Sequence, residues 1–131
     1  MSRYVYYQPN EKDLKDRYGD CAIRAICKAT NSDWLSVFDG LYQYARTAQC
    51  LLNHKPAFEP YLKDKGFVYK STPKHPKVKE LAKDIDGTVI AYVRVGFSTH
   101  LVCIENKDWY DTWNSGDKKV FGYYEKVGVS V

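Results

Sequence analysis

Cysteine, histidine and aspartate are the residue types whose placement in this chain suggests chemistry. Cys21 follows Tyr18-Gly19-Asp20 and opens the segment Cys21-Ala22-Ile23-Arg24-Ala25-Ile26-Cys27-Lys28-Ala29, in which Ile23, Ile26, Cys27 and Thr30 recur at helical spacing. Asp20 is placed to cap that helix, so Cys21 is expected at a helix N-terminus. The unpaired N–H groups and the positive dipole end found there stabilise a thiolate, which is the nucleophilic form of cysteine. An imidazole within reach would complete an ion pair and later protonate a leaving group.

Three histidines are candidates for that role. His54 and His75 lie in polar stretches beside prolines, the setting of a solvated surface group. His100 instead opens an apolar run, His100-Leu101-Val102-Cys103-Ile104, that reads as a strand. An acid on the neighbouring strand would fix the imidazole's orientation, and Asp111 in Trp109-Tyr110-Asp111-Thr112-Trp113 occupies that place. Asp108 and Asn114 flank the same strand, and a shift of a few residues would put either in the role of Asp111 instead.

The other thiols read as structural. Cys27 falls on the apolar side of the first helix, Cys103 within a strand, and Cys50 in the core or at a helix end. A zinc site built from cysteines and His100 is disfavoured, because His100 and Cys103 are an odd number of residues apart on one strand and no Cys-x-x-Cys pair occurs. Arg24, three residues after Cys21, shares its helix face and either neighbours the site or forms a salt bridge.

The elements that must position these residues follow from the patterning. Tyr4-Val5-Tyr6-Tyr7 suits a short strand ended by Gln8-Pro9-Asn10. A second helix starts at Asn31-Ser32-Asp33 and carries Trp34, Val37, Phe38, Leu41, Ala45, Ala48 and Leu52, with Gly40 weakening it. A third runs through Phe58, Tyr61 and Leu62 to Gly66, and a fourth through Val78, Leu81 and Ala82 to Asp86-Gly87. Strands follow at Thr88 to Val95 and Thr99 to Glu105, joined by Gly96-Phe97-Ser98, then at Trp109 to Trp113 and Val120 to Lys126. Helices first and an antiparallel sheet last give an α+β class, with the helix of Cys21 packed on the sheet.

Composition agrees with one domain over residues 1–131. The chain has 131 residues, 44% hydrophobic and 27% charged, with a net charge of +4, too mild to mark a nucleic-acid binder by itself. No apolar run approaches the roughly 20 residues of a membrane span, and no secretion signal opens the chain, so a cytoplasmic protein with reduced thiols and no membrane partner is expected. The densest basic region, Lys63 to Lys83, has Phe67 and Tyr69 interleaved and would suit a phosphate backbone with stacked bases, although Asp64, Glu80 and Asp84 dilute it. Glycine-rich phosphate loops, dinucleotide fingerprints and Gly-x-Ser-x-Gly elbows are absent.

A helix-borne Cys, then a strand-borne His, then an Asp on the next strand resembles the papain-like cysteine peptidases. Gly19-Asp20-Cys21-Ala22-Ile23-Arg24-Ala25 and His100-Leu101-Val102 with Tyr110-Asp111-Thr112-Trp113 look like small papain-like proteins of phages, prophages and bacteria, and more distantly like the peptidases that remove double-glycine leaders from bacteriocins. The resemblance implies a papain-like fold, Cys21 as nucleophile, His100 as general base and acid, Asp111 as its orienting residue, and no cofactor or metal. Such families often place an oxyanion-stabilising Gln a few residues before the Cys. Here Lys15, Asp16 and Arg17 stand there, and Gln8 lies thirteen residues upstream. The Cys21 N–H would be one oxyanion donor, with Gln8, Asn10 or Tyr18 as the second.

Two functions of different class follow. One is a thiol hydrolase, a cysteine peptidase or isopeptidase acting on a peptide or protein through an acyl-enzyme. The other is a weakly active or inactive binding protein on the same scaffold, such as a phage factor engaging a host protein. Nucleic-acid binding through Lys63 to Lys83 is the weaker third reading. Oligomeric state is not legible in the sequence.

Overall fold

The computed structural model describes residues 2–127. Among these residues there are four helices and a six-stranded mixed sheet: β1 (Tyr4–Tyr6), α1 (Cys21–Thr30), α2 (Trp34–Ala48), α3 (Lys55–Asp64), β2 (Phe67–Ser71), α4 (Val78–Ala82), β3 (Thr88–Val95), β4 (Ser98–Glu105), β5 (Asp108–Asp111) and β6 (Lys119–Lys126). Spatial order across the sheet is β1-β5-β4-β3-β6-β2.

The central strands are apolar on both faces because both faces are covered. Ile90, Leu101, Cys103 and Tyr124 pack with α1, α2 and α3. Val89, Ala91, Val93, Val102, Ile104 and Val120 pack on the other side with Val78, Leu81 and Ala82 of α4. Helix α1 lies between β4 and α2, and its residues from Ala22 to Cys27 are all buried. A helix buried around its whole girth is held by packing on all sides.

Local signals set most boundaries. Asn31 ends α1 in the left-handed conformation at φ 53°, and the Asp33 carboxylate accepts the Ser36 N–H at 2.8 Å to start α2. Helix α2 stops at Ala48, with left-handed Gln49 as its cap, so Leu52 falls in the following turn rather than on the helix. Gly40 has a packing reason: a Cβ there would come within 2.8 Å of the Tyr61 ring on α3. β3 and β4 form the expected hairpin, with Gly96 at φ 61° in its turn.

Two expectations need correction. The sheet is not wholly antiparallel, since β1 pairs parallel to β5, with Tyr4, Val5 and Tyr6 opposite Trp109, Tyr110 and Asp111. An N-terminal edge strand is free to dock in either direction, because no short turn ties it to its neighbour. The region from Lys63 to Lys83 also holds a strand where the sequence reading placed none, while Lys63, Lys65, Lys70, Lys74, Lys79 and Lys83 are exposed. It contains β2, antiparallel to β6, with Phe67 buried in the core and Tyr69 against Tyr124. The period-2 pattern of Phe67-Val68-Tyr69-Lys70 carries that strand. Lys70 pairs with Glu125 at 2.6 Å and Lys79 with Asp117 at 2.8 Å.

Gly122 on β6 is where the Tyr69 ring crosses the strand, and a Cβ there would overlap the ring and its hydroxyl. Gly122→Ala is expected to destabilise the fold by about 1–3 kcal/mol through overpacking, measured as a lower urea midpoint with an unchanged slope. A variant as stable as wild type would contradict this packing.

Candidate functional site

The site forms where α1 meets the ends of β4 and β5. Cys21 is the first residue of α1 and is partly exposed. The preceding loop is wound around buried Asp13, whose carboxylate accepts the Arg17 N–H at 2.8 Å and the Tyr18 N–H at 3.0 Å. Asn53, from the turn after α2, accepts the Ala22 N–H at 3.1 Å and donates to the Gly19 carbonyl, which fixes the backbone on both sides of the cysteine. One of the first-turn N–H groups that a helix leaves without an internal acceptor is thereby satisfied.

Pairing between β4 and β5 stops at Cys103 opposite Tyr110. His100 and Asp111 lie beyond the last pair, where the parting strands leave room for the start of α1. Asp111 Oδ2 accepts from His100 Nε2 at 2.7 Å, and the Cys21 thiol lies close enough to the His100 ring to favour its protonated form. An imidazole has two nitrogens. With Nε2 on the carboxylate, Nδ1 is the one left for the thiol. Trp113 covers the ring, 5.1 Å between centroids.

Asp111 is 2% exposed and fully engaged. Ser115 donates its hydroxyl to Oδ2 at 2.8 Å, the Thr112 N–H donates to Oδ1 at 2.8 Å, and Arg24 Nη2 donates to Oδ1 at 3.3 Å. Burial opposes its ionisation, but the donors from His100, Ser115 and Thr112 prevail and hold its pKa below the usual carboxylate value. Burial likewise opposes charge on His100, yet the facing Asp111 carboxylate and Cys21 sulfur raise it from 6.5 to about 9. The imidazolium is therefore the resting form at neutral pH.

Arg24 joins the helix that Cys21 opens to Asp111. Its guanidinium is buried and bridges Asp20 and Asp111. Asp20 does not cap α1, as its sequence position suggests, and has no capping hydrogen bond. Its carboxylate is taken by Arg24 and by the Trp34 indole N–H at 2.8 Å. A buried guanidinium four residues along the helix outweighs the helix's own N–H groups as a partner.

The other sequence candidates lie elsewhere. Asn114 serves its own turn, accepting from Trp109 Nε1 and from the Gly116 N–H at 3.0 Å each, so it does not stand in for Asp111 at His100. Asp108 accepts from the Arg3 N–H. Gln8 continues from β1 past Asp111, but its carboxamide donates to Asp16 at 2.9 Å and accepts from the Asn10 N–H. No hydrogen bond joins Gln8 to Cys21 among the described residues. Cys27 and Cys103 are core thiols whose ionisation burial opposes, with Cys27 pushed up to about 12. Among the described residues no three His, Cys, Asp or Glu side chains gather as a metal cluster, and no helix is long and apolar enough to cross a membrane.

Sequence reading missed Asn53 and Ser115 entirely and left the role of Arg24 open. A search for polar residues near the motif would have found Ser115, four residues after Asp111; nothing local marks Asn53. Comparison with protein-family models, curated proteins and solved structures found no match.

Two outcomes are expected of this geometry. Arg24→Leu leaves the buried Asp20 and Asp111 carboxylates without their cation and should cost about 3–5 kcal/mol of stability in urea unfolding at neutral pH. Arg24→Lys should recover only part, because an ammonium lacks the fork that serves two carboxylates. The raised His100 pKa makes its charged pairing a stabilising contribution that is full below its ordinary 6.5 and lost as pH rises through about 9. Wild-type stability should therefore fall relative to His100→Gln across that window. Parallel pH profiles would exclude the ion pair.

Proposed function

We propose that this chain is a papain-like thiol hydrolase, a cysteine peptidase or isopeptidase, with Cys21 as nucleophile, His100 as acid and base, and Asp111 as the residue that orients His100. The observation that carries the reading is that His100, bonded to the Asp111 carboxylate at 2.7 Å, lies beside the thiol of a cysteine at a helix N-terminus, which contributes to its raised pKa. A structural thiol needs neither partner, whereas an attacking thiolate is stabilised by an imidazolium beside it and by a helix N-terminus.

In the acylation step the Cys21 thiolate adds to the substrate carbonyl carbon, and the carbonyl electron pair moves onto oxygen. The Cys21 N–H, at the open end of α1, donates to that oxyanion. Collapse expels the amine, which takes the proton from His100, and leaves a thioester. Water then attacks the thioester as His100 takes its proton, and expulsion of the Cys21 thiolate from the tetrahedral intermediate releases the acid and restores the thiolate–imidazolium pair. Asp111, tied down by Arg24, Ser115 and the Thr112 N–H, keeps the ring aimed throughout.

A second reading, a binding protein that has dispensed with turnover, is favoured by one observation: the Gln8 carboxamide is engaged by Asp16 rather than offered to an oxyanion beside Cys21. Both readings use the same scaffold, and they part on whether the thiol is activated.

Iodoacetamide alkylation of Cys21, followed by mass spectrometry across pH, tests the proposal. An ordinary thiol of pKa about 8.5 is only about 1% thiolate at a pH near 6.5, so the pair should label about 10- to 100-fold faster than a free cysteine there. That excess should vanish in His100→Ala. Slow labelling indifferent to His100 would mean a structural thiol and overturn the hydrolase assignment.

A further inference from the structure

At one edge of the sheet β2 pairs with β6 alone, with β3 and β6 between it and the strand of His100. The register fixes which of its backbone groups are taken. The Val127 N–H donates to the Gly66 carbonyl and the Thr72 N–H to the Phe121 carbonyl, each at 3.0 Å, one at either end of the ladder. Antiparallel pairs alternate between bonded and non-bonded. Val68 and Lys70 therefore bond to β6 as well, whereas Phe67, Tyr69 and Ser71 turn their N–H and C=O groups outward. Phe67 is buried, but Tyr69 is partly exposed and Ser71 exposed. Among the described residues no backbone group pairs with Tyr69 or Ser71 on that outer side.

Two features flank this open edge. One is a hollow of about 420 Å³ between α3 and β2, lined by Pro60, Phe67, Tyr69 and Tyr124 together with Glu59 and Lys63. The other is positive charge. Lys63 and Lys65 just before the strand and Lys74 just after it are exposed, and none of the three has an ion-pair partner among the described residues. The acids nearby are committed: Glu59 to the Tyr124 hydroxyl and Lys55, Asp64 to the Tyr44 hydroxyl, and Glu125 to Lys70.

An open sheet edge pairs with an extended backbone, and the charge and the hollow select which one. A second copy joined through β2 would set the lysines at the two ends of the strand against those of its partner, which is repulsive. A single-stranded nucleic acid would find Phe67 and Tyr69 packed into the core rather than presented for stacking. An acidic peptide meets neither obstacle. Side chains of an added strand alternate, so those level with Phe67 and Tyr69 face α3 and the hollow.

We propose that β2 and the hollow beside it form a docking groove for an extended acidic segment of a partner protein. The segment adds to the sheet beside β2, seats one large apolar side chain between α3 and β2, and meets Lys63, Lys65 and Lys74 with carboxylates near its ends. The groove lies apart from Cys21, so the proposal stands independently of the thiol-hydrolase reading.

The test uses the full chain and the peptide fluorescein-Glu-Asp-Val-Leu-Val-Asp-Glu-amide, with binding followed by fluorescence anisotropy. Binding should saturate, weaken about 10-fold or more when lysine replaces every acid in the peptide, and weaken about 10-fold when glycine replaces its leucine. Bound peptide should slow hydrogen exchange at the Tyr69 and Ser71 amides. Ser71→Pro removes an outward donor without touching a bond to β6, and Lys63→Glu combined with Lys74→Glu reverses charge at exposed positions. Each should weaken binding about 10-fold or more, with circular dichroism confirming the fold; if Ser71→Pro does not fold, the lysine pair decides. Absence of saturation, equal binding of the acidic and lysine peptides, or unchanged exchange at both amides would overturn the groove. Dimerisation that protects the same amides would assign the edge to a second copy. An oligodeoxythymidine that binds more tightly than the peptide, and is weakened by the same lysine substitutions, would assign the face to nucleic acid. Either result overturns the proposal.

Discussion

One buried guanidinium holds the geometry of this protein's site together. Arg24 is 7% exposed and stands between two buried carboxylates, Asp20 on its own helix and Asp111 at the end of β5. Neither carboxylate would be tolerated in the interior as an anion without a cation beside it. The same bridge sets the distance between the start of α1, where Cys21 sits, and the strand end that holds His100. The electrostatic condition for burial and the geometric condition for chemistry are met by one side chain.

Around that bridge the chain arranges a graded set of partners. Asp111 receives four donors, so its position and charge are over-determined, and His100 has one settled orientation rather than several. Asp20 is held in turn by the Trp34 indole, which links the site to the stacked rings of α2. Asn53 staples the turn after α2 to the residues flanking Cys21. β1, paired parallel to β5, closes the outer side of the strand that carries the acid. Such pre-organisation fixes the His100 ring relative to the start of α1.

The sheet explains why so much of the architecture could be read from sequence. Apolar runs such as Thr88-Val89-Ile90-Ala91-Tyr92-Val93 need cover on both faces, and the helices on either side supply it. The helix pattern after Asp33 and the hairpin at Gly96 are set by cap and turn chemistry that acts over a few residues. β2 was harder to see because lysines dominate its surroundings, and burial of Phe67 and Tyr69 depends on β6, more than fifty residues later in the chain.

The sequence by itself determined the local facts: a cysteine opening an apolar helix, a histidine at the mouth of a strand, an aspartate near the end of the next strand, and helices preceding most of the strands. These are consequences of periodicity and turn chemistry, whose range is a few residues. Tertiary structure alone decided what those residues meet. Arg24 reaches Asp111 across 87 positions, Asn53 reaches Ala22 across 31, and Asp20 gives up a helix cap for a buried ion pair. Desolvation makes such long-range polar partners energetically compulsory, and only the closed fold determines which groups are desolvated together.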